Sequence, residues 1–258
     1  MVMDMTMNMF TVMEKKRRMI DIHNHLLFDT DDGVKTIDES IDVLRDLESF
    51  GIRDIILTPH YISGTKYSNT VRDNYKKLKE LRNRVEEERI NINLYLGNEI
   101  YIDEDIYYNL KNGIISTMNG TRYILVELPM EGNYDGYLEL FKDLMSRGCR
   151  IILAHPERYI SVQEDFNLLY ELKSIGVLFQ SNLDSIIGKY GKSASFTVIK
   201  MLKEGLVNFL STDIHRKKDN YNKWKMAKLI ALKYITEEEY NILTIDNPKK
   251  LISENYYK

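Results

Sequence analysis

Seven short β-rich runs punctuate the chain: RMIDIH (18–23), RDIILTPH (53–60), INLYLGNE (92–99), RYILVELP (122–129), RIILAHP (150–156), GVLFQSN (176–182) and VNFLSTDIH (207–215). Helical patterns separate most of them. Strands with continuous apolar centres and helical crossovers bury both faces, so they belong in a parallel sheet covered by helices. The expected fold is therefore α/β, first as a distorted (β/α)7 TIM-like barrel and second as an open doubly wound sheet. The open sheet would carry a glycine-rich phosphate loop after one strand, and the sequence has none. MNGTRY (118–123) reads as a plain turn, and IIGKYGKSAS (186–195) lacks the glycine-to-lysine spacing of a phosphate loop.

The helices carry their own boundary signals. In TIDESIDVLRDLESFG (36–51), Thr36 and Glu39 stand at capping-box spacing, Ile37, Ile41, Val43, Leu44 and Leu47 form a broad apolar face, and Gly51 is the stop. Further patterns are YSNTVRDNYKKLKELRNRVEEE (67–88), YDGYLELFKDLMSRG (134–148), EDFNLLYELKSIG (164–176) and KSASFTVIKMLKEG (192–205). The last three end at Gly148, Gly176 and Gly205, each just before the next strand.

Composition narrows the functional classes. With 43% hydrophobic and 29% charged residues, the chain can bury a sizeable core. A net charge of −3 argues against a nucleic-acid backbone as the main partner. No apolar window is long enough for a membrane span. A single cysteine, Cys149, precludes an internal disulfide and fits a reducing, cytoplasmic setting. Residues 1–17 read as a loosely ordered extension ahead of Met19. The basic cluster Lys15–Arg18 follows the apolar part there, the reverse of a secretory signal, and reads as a solvated tail. Residues 18–258 are expected to form one domain.

The polar residues fall in one topological place. All five histidines, His23, His25, His60, His155 and His215, stand at or just past the C-terminal end of a predicted strand. Glu99, Glu127 and Asp213 hold equivalent positions, and Asp32 lies in the loop after the first strand, with Asp29 and Asp31 as close alternatives. In a parallel barrel these ends form a single rim. Four carboxylates in one cavity would raise one another's pKa values unless cations neutralise them, which points to a multinuclear metal site. Glu127 could equally support a neighbouring ligand. Imidazole mixed with hard carboxylate oxygen, without thiolate, suits Mn²⁺ or Fe²⁺ and permits Zn²⁺ or Co²⁺. Such a site can generate a nucleophile from water and clamp phosphoryl oxygens.

The motifs DIHNH, DDG, TPH, GNE, VELP, AHPER and TDIH, in this order, resemble the polymerase and histidinol phosphatase (PHP) superfamily. Within it they are most similar to the manganese-dependent tyrosine-protein phosphatases of capsule and exopolysaccharide operons, the CpsB/CapC family. The similarity spans about residues 19 to 250. DIHNH alone is weakly specific; DDG at its spacing, GNEIY and AHPERY are much more so.

The resemblance implies a distorted seven-stranded PHP barrel with three metal ions, Mn²⁺ first among the candidates. It places His23, His25, Glu99 and Asp213 on one ion, Glu99, Glu127 and His155 on a second, and Asp32, His60 and His215 on a third. It matches Arg158 to the family's phosphate-binding arginine, whose planar fork suits a phosphate; a plain ion pair to Glu157 or another surface acid is the alternative. Arg216, Lys217 and Lys218 compete for a second basic role after the DIH motif, and Arg158, Arg216 and His60 are the implied catalytic side chains. The implied substrate is the phosphotyrosine tail of a partner bacterial tyrosine kinase, received at a mouth edged by Arg158, Arg216 and Lys217.

Rival readings are a histidinol-phosphate type of phosphatase or a nuclease on the same scaffold, an amidohydrolase, and a non-catalytic scaffold. An amidohydrolase expects a lysine on the fourth strand and a histidine on the sixth, where this chain has Glu127 and VLFQSN. A scaffold has no reason to retain costly acids. A cysteine-dependent tyrosine phosphatase needs Cys, five residues, then Arg, but His155 stands six places after Cys149. Cys149 therefore reads as structural. The eighteen tyrosines read as ordinary packing and surface residues.

Overall fold

The computed structural model describes residues 18–132, 134–217 and 221–253. The expected extension 1–17 and Lys218 lie outside the described residues. The fold is α/β, and every named strand pairs in parallel. One sheet has the order β1 (Ile20–Asp21), β2 (Asp54–Leu57), β4 (Asn93–Leu96). The other runs β3 (His60–Tyr61), β5 (Glu99–Tyr101), β6 (Tyr123–Glu127), β7 (Arg150–Ala154), β8 (Leu178–Asn182), β9 (Val207–Ser211).

Two of the seven expected strands are thus interrupted. β2 and β3 break at Thr58-Pro59, where proline removes a ladder donor, and β4 and β5 break at Gly97-Asn98. Backbone bonds cross both breaks: Gly97 N–H donates to Leu57 O (2.8 Å) and Glu99 N–H to Pro59 O (3.2 Å). Past β1 and β9 the chain continues to pair. Asn24 and Ile214 form a parallel bridge, Asp213 N–H donates to His23 O (2.8 Å), and His25 N–H donates to Ile214 O (2.9 Å).

Helix α1 (Ile37–Phe50) starts at Thr36, whose side chain accepts from Glu39 N–H (3.2 Å), and ends at Gly51 in the left-handed region. The capping box is only half made, because Glu39 Oε2 accepts from Lys35 N–H (2.6 Å) and not from Thr36. Helices α2 (Val71–Glu87), α3 (Ile106–Lys111), α4 (Asp135–Ser146), α5 (Ile160–Glu164), α6 (Asn167–Ser174), α7 (Leu183–Ile186) and α8 (Lys192–Lys203) follow in sequence. The sequence reading did not resolve the C-terminal run: α9 (Asn222–Ala231), α10 (Glu237–Asn241), a π-helical segment (Ile242–Asp246) and α11 (Asn247–Ser253). Among the described residues, no helix is long and apolar enough to cross a membrane.

Two apolar clusters sort by strand parity. Ile55, Leu57, Ile124, Val126, Ile151, Leu153, Phe179 and Leu210 pack under the helices. Ile56, Tyr123, Leu125, Ile152, Ala154 and Phe209 form a smaller cluster with Met118 and with Leu251 of α11. On that second face, polar groups replace apolar ones toward the strand ends. Glu127 follows Tyr123 and Leu125, Gln180 and Asn182 follow Leu178, and Asp213 follows Phe209 and Ser211. The same period that builds the small core therefore aims polar residues into the space above it.

Gly33 of the DDG motif packs this rim. A Cβ built there would lie 2.1 Å from His25 O and 2.6 Å from His25 Cβ, and these atoms cannot rotate away. Val34 N–H also donates to His25 O (3.3 Å), so the loop is pinned against the histidine. Gly33→Ala is expected to destabilise the fold by about 1–3 kcal/mol through overpacking, read as a lower urea midpoint; an unchanged midpoint would show that the loop yields freely.

Candidate metal centre

All nine expected donor residues meet at the strand ends. Three imidazole nitrogens face one carboxylate oxygen: His23 Nε2, His25 Nε2 and His60 Nδ1 lie 3.1, 3.3 and 3.1 Å from Glu99 Oε2. All four atoms are buried and none makes a hydrogen bond among the described residues. Donors on one divalent ion at about 2.1 Å sit roughly 3.0–3.4 Å apart. The spacing and the unsatisfied lone pairs thus fit a divalent cation, and a desolvated carboxylate without one would be costly.

The donors form overlapping groups. His23, His25 and Asp213 make one, with His23 Nε2 and His25 Nε2 at 3.6 and 3.4 Å from Asp213 Oδ1. Glu99 and His155 approach to 3.0 Å, and Glu127 Oε1 lies 3.6 Å from His155 Nε2. His60 joins Glu99 and Glu127 in a further group. Asp32 Oδ1 lies 3.6 Å from His60 Nε2 and 3.5 Å from His215 Nε2, and His25 completes that group.

The three adjacent acids separate by environment. Asp32 is half exposed and faces His60 and His215. Asp29 is turned outward to Lys77 (3.0 Å). Asp31 is buried; its Oδ2 accepts from His25 Nδ1 (2.6 Å) and His60 N–H (2.9 Å), and its Oδ1 accepts from Gly33 N–H (2.9 Å). Asp31 therefore fixes the His25 tautomer and leaves Nε2 for the centre.

Sequence reasoning missed a second such support. Gln180 Oε1 accepts from His23 Nδ1 (2.8 Å), Gln180 Nε2 donates to Asn182 Oδ1 (2.9 Å), and Asn182 Nδ2 donates to Asp213 Oδ2 (2.7 Å). One amide relay thus orients His23 and occupies the oxygen of Asp213 that faces away from the histidines. The available signal was positional, since Gln180 and Asn182 end the VLFQSN strand on the face that carries donors elsewhere. Two expected donors also have left-handed backbones, His155 (φ 33°) and Asp213 (φ 50°). Non-glycine residues avoid this region at a cost of roughly 1–2 kcal/mol.

Arg158 belongs to the same rim. Its Nη1 donates to the buried Asp213 Oδ2 (3.2 Å), and among the described residues Arg158 forms no ion pair with Glu157. Glu157 is buried and accepts instead from Asn182 N–H (2.9 Å) and Ser185 Oγ (2.6 Å). Arg216 Nη2 reaches Asp32 O at 3.5 Å. Lys217, expected at the mouth, is exposed and lies 3.7 Å from Asp42 and 3.8 Å from Asp46 of α1. Cys149 precedes β7, at the opposite end of that strand from His155, and burial raises its pKa, as expected for an inert thiol.

The electrostatics are those of acids neutralised by their neighbours. Burial disfavours the His23 imidazolium, but Glu99 and Asp213 outweigh it and push its pKa up to about 9. His25 is likewise raised against burial, by Asp31, Asp213 and Glu99. Burial would lift Glu99 and Asp213, yet the histidines hold both well below the usual carboxylate range. Glu127 is pushed up to about 8 by burial and by Glu99.

The fold and these donors define a class: an α/β protein with a candidate polynuclear metal centre at the ends of parallel strands. Residues 19–253 match the family model described as capsular polysaccharide synthesis, CpsB/CapC, and the chain belongs to that family. It is 34% identical over 201 residues to the tyrosine-protein phosphatase YwqE of Bacillus subtilis, covering 78% of each chain. A structure from the work on YwqE of Bacillus subtilis and CpsB of Streptococcus pneumoniae, described as metal-dependent tyrosine phosphatases, superposes with a TM-score of 0.84 at 30% identity. That match covers 93% of this chain and 96% of the other. A histidinol phosphate phosphatase from Lactococcus lactis shares the fold at a TM-score of 0.59 and 15% identity, over 84% of this chain and 94% of that one.

The acids around His23 and His25 raise the pKa of both, so a divalent cation and protons compete for the same nitrogens. Divalent-metal uptake is therefore expected to release protons and to tighten as pH rises toward about 9. Calorimetry in buffers of different ionisation enthalpy measures this; binding without proton release would contradict the charge assignment.

Proposed function

We propose that this chain is a metal-dependent protein-tyrosine phosphatase acting on the tyrosine-rich tail of a bacterial tyrosine autokinase, in the control of capsular or exopolysaccharide synthesis. The observation that carries this reading is the convergence of His23, His25, Asp32, His60, Glu99, Glu127, His155, Asp213 and His215 beside Arg158 in a chain of the CpsB/CapC family. The metal-dependent tyrosine phosphatases among its relatives support the substrate class.

We assign three ions, with Mn²⁺ as the expected metal. The first takes His23, His25, Glu99 and Asp213, the second Glu99, Glu127 and His155, the third Asp32, His60 and His215. The overlapping donor groups support this, with His23, His25 and His60 each near a second group. Divalent cations would supply a more acidic water and neutralise charge on the phosphoryl oxygens. The remaining work falls to the protein. Gln180, Asn182 and Asp31 hold the donors in orientation. Arg158 presents its fork to the phosphate, and charge-assisted bonds there strengthen as negative charge builds on the equatorial oxygens. Arg216, beside Asp32, meets the phosphate or the flanking peptide. The leaving tyrosinate has a conjugate-acid pKa of about 10, so it departs without a strong general acid.

We also read the strands as one distorted seven-stranded barrel in a single domain from residue 18 onward. The Asn24–Ile214 bridge and the bonds across the two strand breaks support that closure. A cytoplasmic site of action fits the lone Cys149 and a kinase tail as substrate.

Turnover of a phosphotyrosine peptide should disappear with chelator, return best with Mn²⁺, and greatly exceed turnover of histidinol phosphate measured alongside. Asp213→Ala should lower kcat by at least about 100-fold with the fold retained, while Cys149→Ser changes little. Robust metal-free turnover, or a preference for histidinol phosphate, would contradict the assignment.

A further inference from the structure

Within the segment IIGKYGKSAS, which fails as a phosphate loop, residues 187–191 form the turn between α7 and α8. Gly188 and Gly191 take left-handed backbones, φ 79° and 95°. Gly188 N–H donates to Ser185 O (3.0 Å), Lys189 N–H to Asp184 O (3.0 Å) and Gly191 N–H to Gly188 O (3.1 Å). Side chains rarely adopt these backbone angles, so the two glycines permit the turn. Between them stands Tyr190.

Its ring centroid lies 4.4 Å from Arg158 Cζ, within cation–π range. Lys189 Nζ lies 5.0 Å from the same ring and pairs with Asp184 Oδ2 (3.0 Å). Arg158 Nη1 is tied in its own plane to Asp213 Oδ2 (3.2 Å). One hydrogen bond leaves a guanidinium free to swing, whereas a hydrogen bond plus an aromatic contact restrict both its place and its plane. The Nε and Nη2 edge makes no protein hydrogen bond among the described residues and remains available to an anion.

We infer that Tyr190 is a positioning residue: its ring holds the Arg158 guanidinium in the plane that presents the free edge of the fork to the phosphoryl oxygens. This rests on Arg158 as the phosphate-binding arginine. Neither the composition of the turn nor the sequence motifs identified it.

The test compares Tyr190→Phe, Tyr190→Leu, Arg158→Ala and the double variant Arg158→Ala/Tyr190→Leu, all Mn²⁺-loaded and checked for metal content and melting temperature. Tyr190→Leu should lower kcat/KM on phosphotyrosine peptide by about 5- to 30-fold and weaken inhibition by inorganic phosphate in parallel, with metal content unchanged. Tyr190→Phe should stay within about 2-fold of the parent. The double variant should be no worse than Arg158→Ala alone, since the ring acts only through the arginine. Should Tyr190→Leu fail to fold, Tyr190→Gln removes the aromatic face while keeping a comparable reach. Additive losses, a silent Tyr190→Leu, or a Tyr190→Phe as impaired as Tyr190→Leu would overturn the inference. An Arg158→Ala variant with unchanged kcat/KM would instead remove the arginine from the site.

Discussion

Glu99 is the residue on which the site turns. Its carboxylate is fully buried, and Oε2 is met by nitrogens of His23, His25 and His60, while Oε1 meets His155. A desolvated carboxylate surrounded by imidazoles is stable only when protons or cations supply positive charge. The same acids raise the pKa values of His23 and His25, so protons and cations compete for this space. Divalent ions fit the same space with bond lengths the donor spacing allows. The rest of the rim, from Asp31 behind His25 to Asn182 behind Asp213, can be understood as keeping lone pairs aimed at that one volume.

The fold delivers this by ordinary strand periodicity. Residues packed in the smaller core lie two apart along each strand, and at the rim the same register exchanges leucine, isoleucine and phenylalanine for glutamate, glutamine and aspartate. Met118 and Leu251 pack into that core with the strands. Strain is tolerated where it redirects donors: the left-handed turns at His155 and Asp213 lie just past β7 and β9, where extended backbone would point onward along the strand.

Much of this was legible in the sequence because the informative residues were rare. Five histidines, each at the end of an apolar run, leave little freedom, and the stops at Gly148, Gly176 and Gly205 marked the helix-to-strand junctions. What remained hidden depended on which neighbour a side chain chose. Asp29, Asp31 and Asp32 are the same residue type within four positions, and only the folded loop, with Asp31 bonded to His25, Gly33 N–H and His60 N–H, distinguishes the one buried behind the histidine. Gln180 and Asn182 carried no motif, since amides on a strand are more often plain hydrogen-bonding residues than parts of a centre. Glu39 closed on Lys35 rather than Thr36, a choice between adjacent amides that spacing cannot distinguish. Lys217 lies near Asp42 and Asp46, which are far away in sequence.

Anomalous diffraction at the manganese edge from Mn²⁺-soaked crystals tests the account most directly. Peaks bonded to Glu99, each also held by histidines or acids from the nine, are expected. A fully soaked crystal with no anomalous scatterer in bonding reach of Glu99 would contradict it.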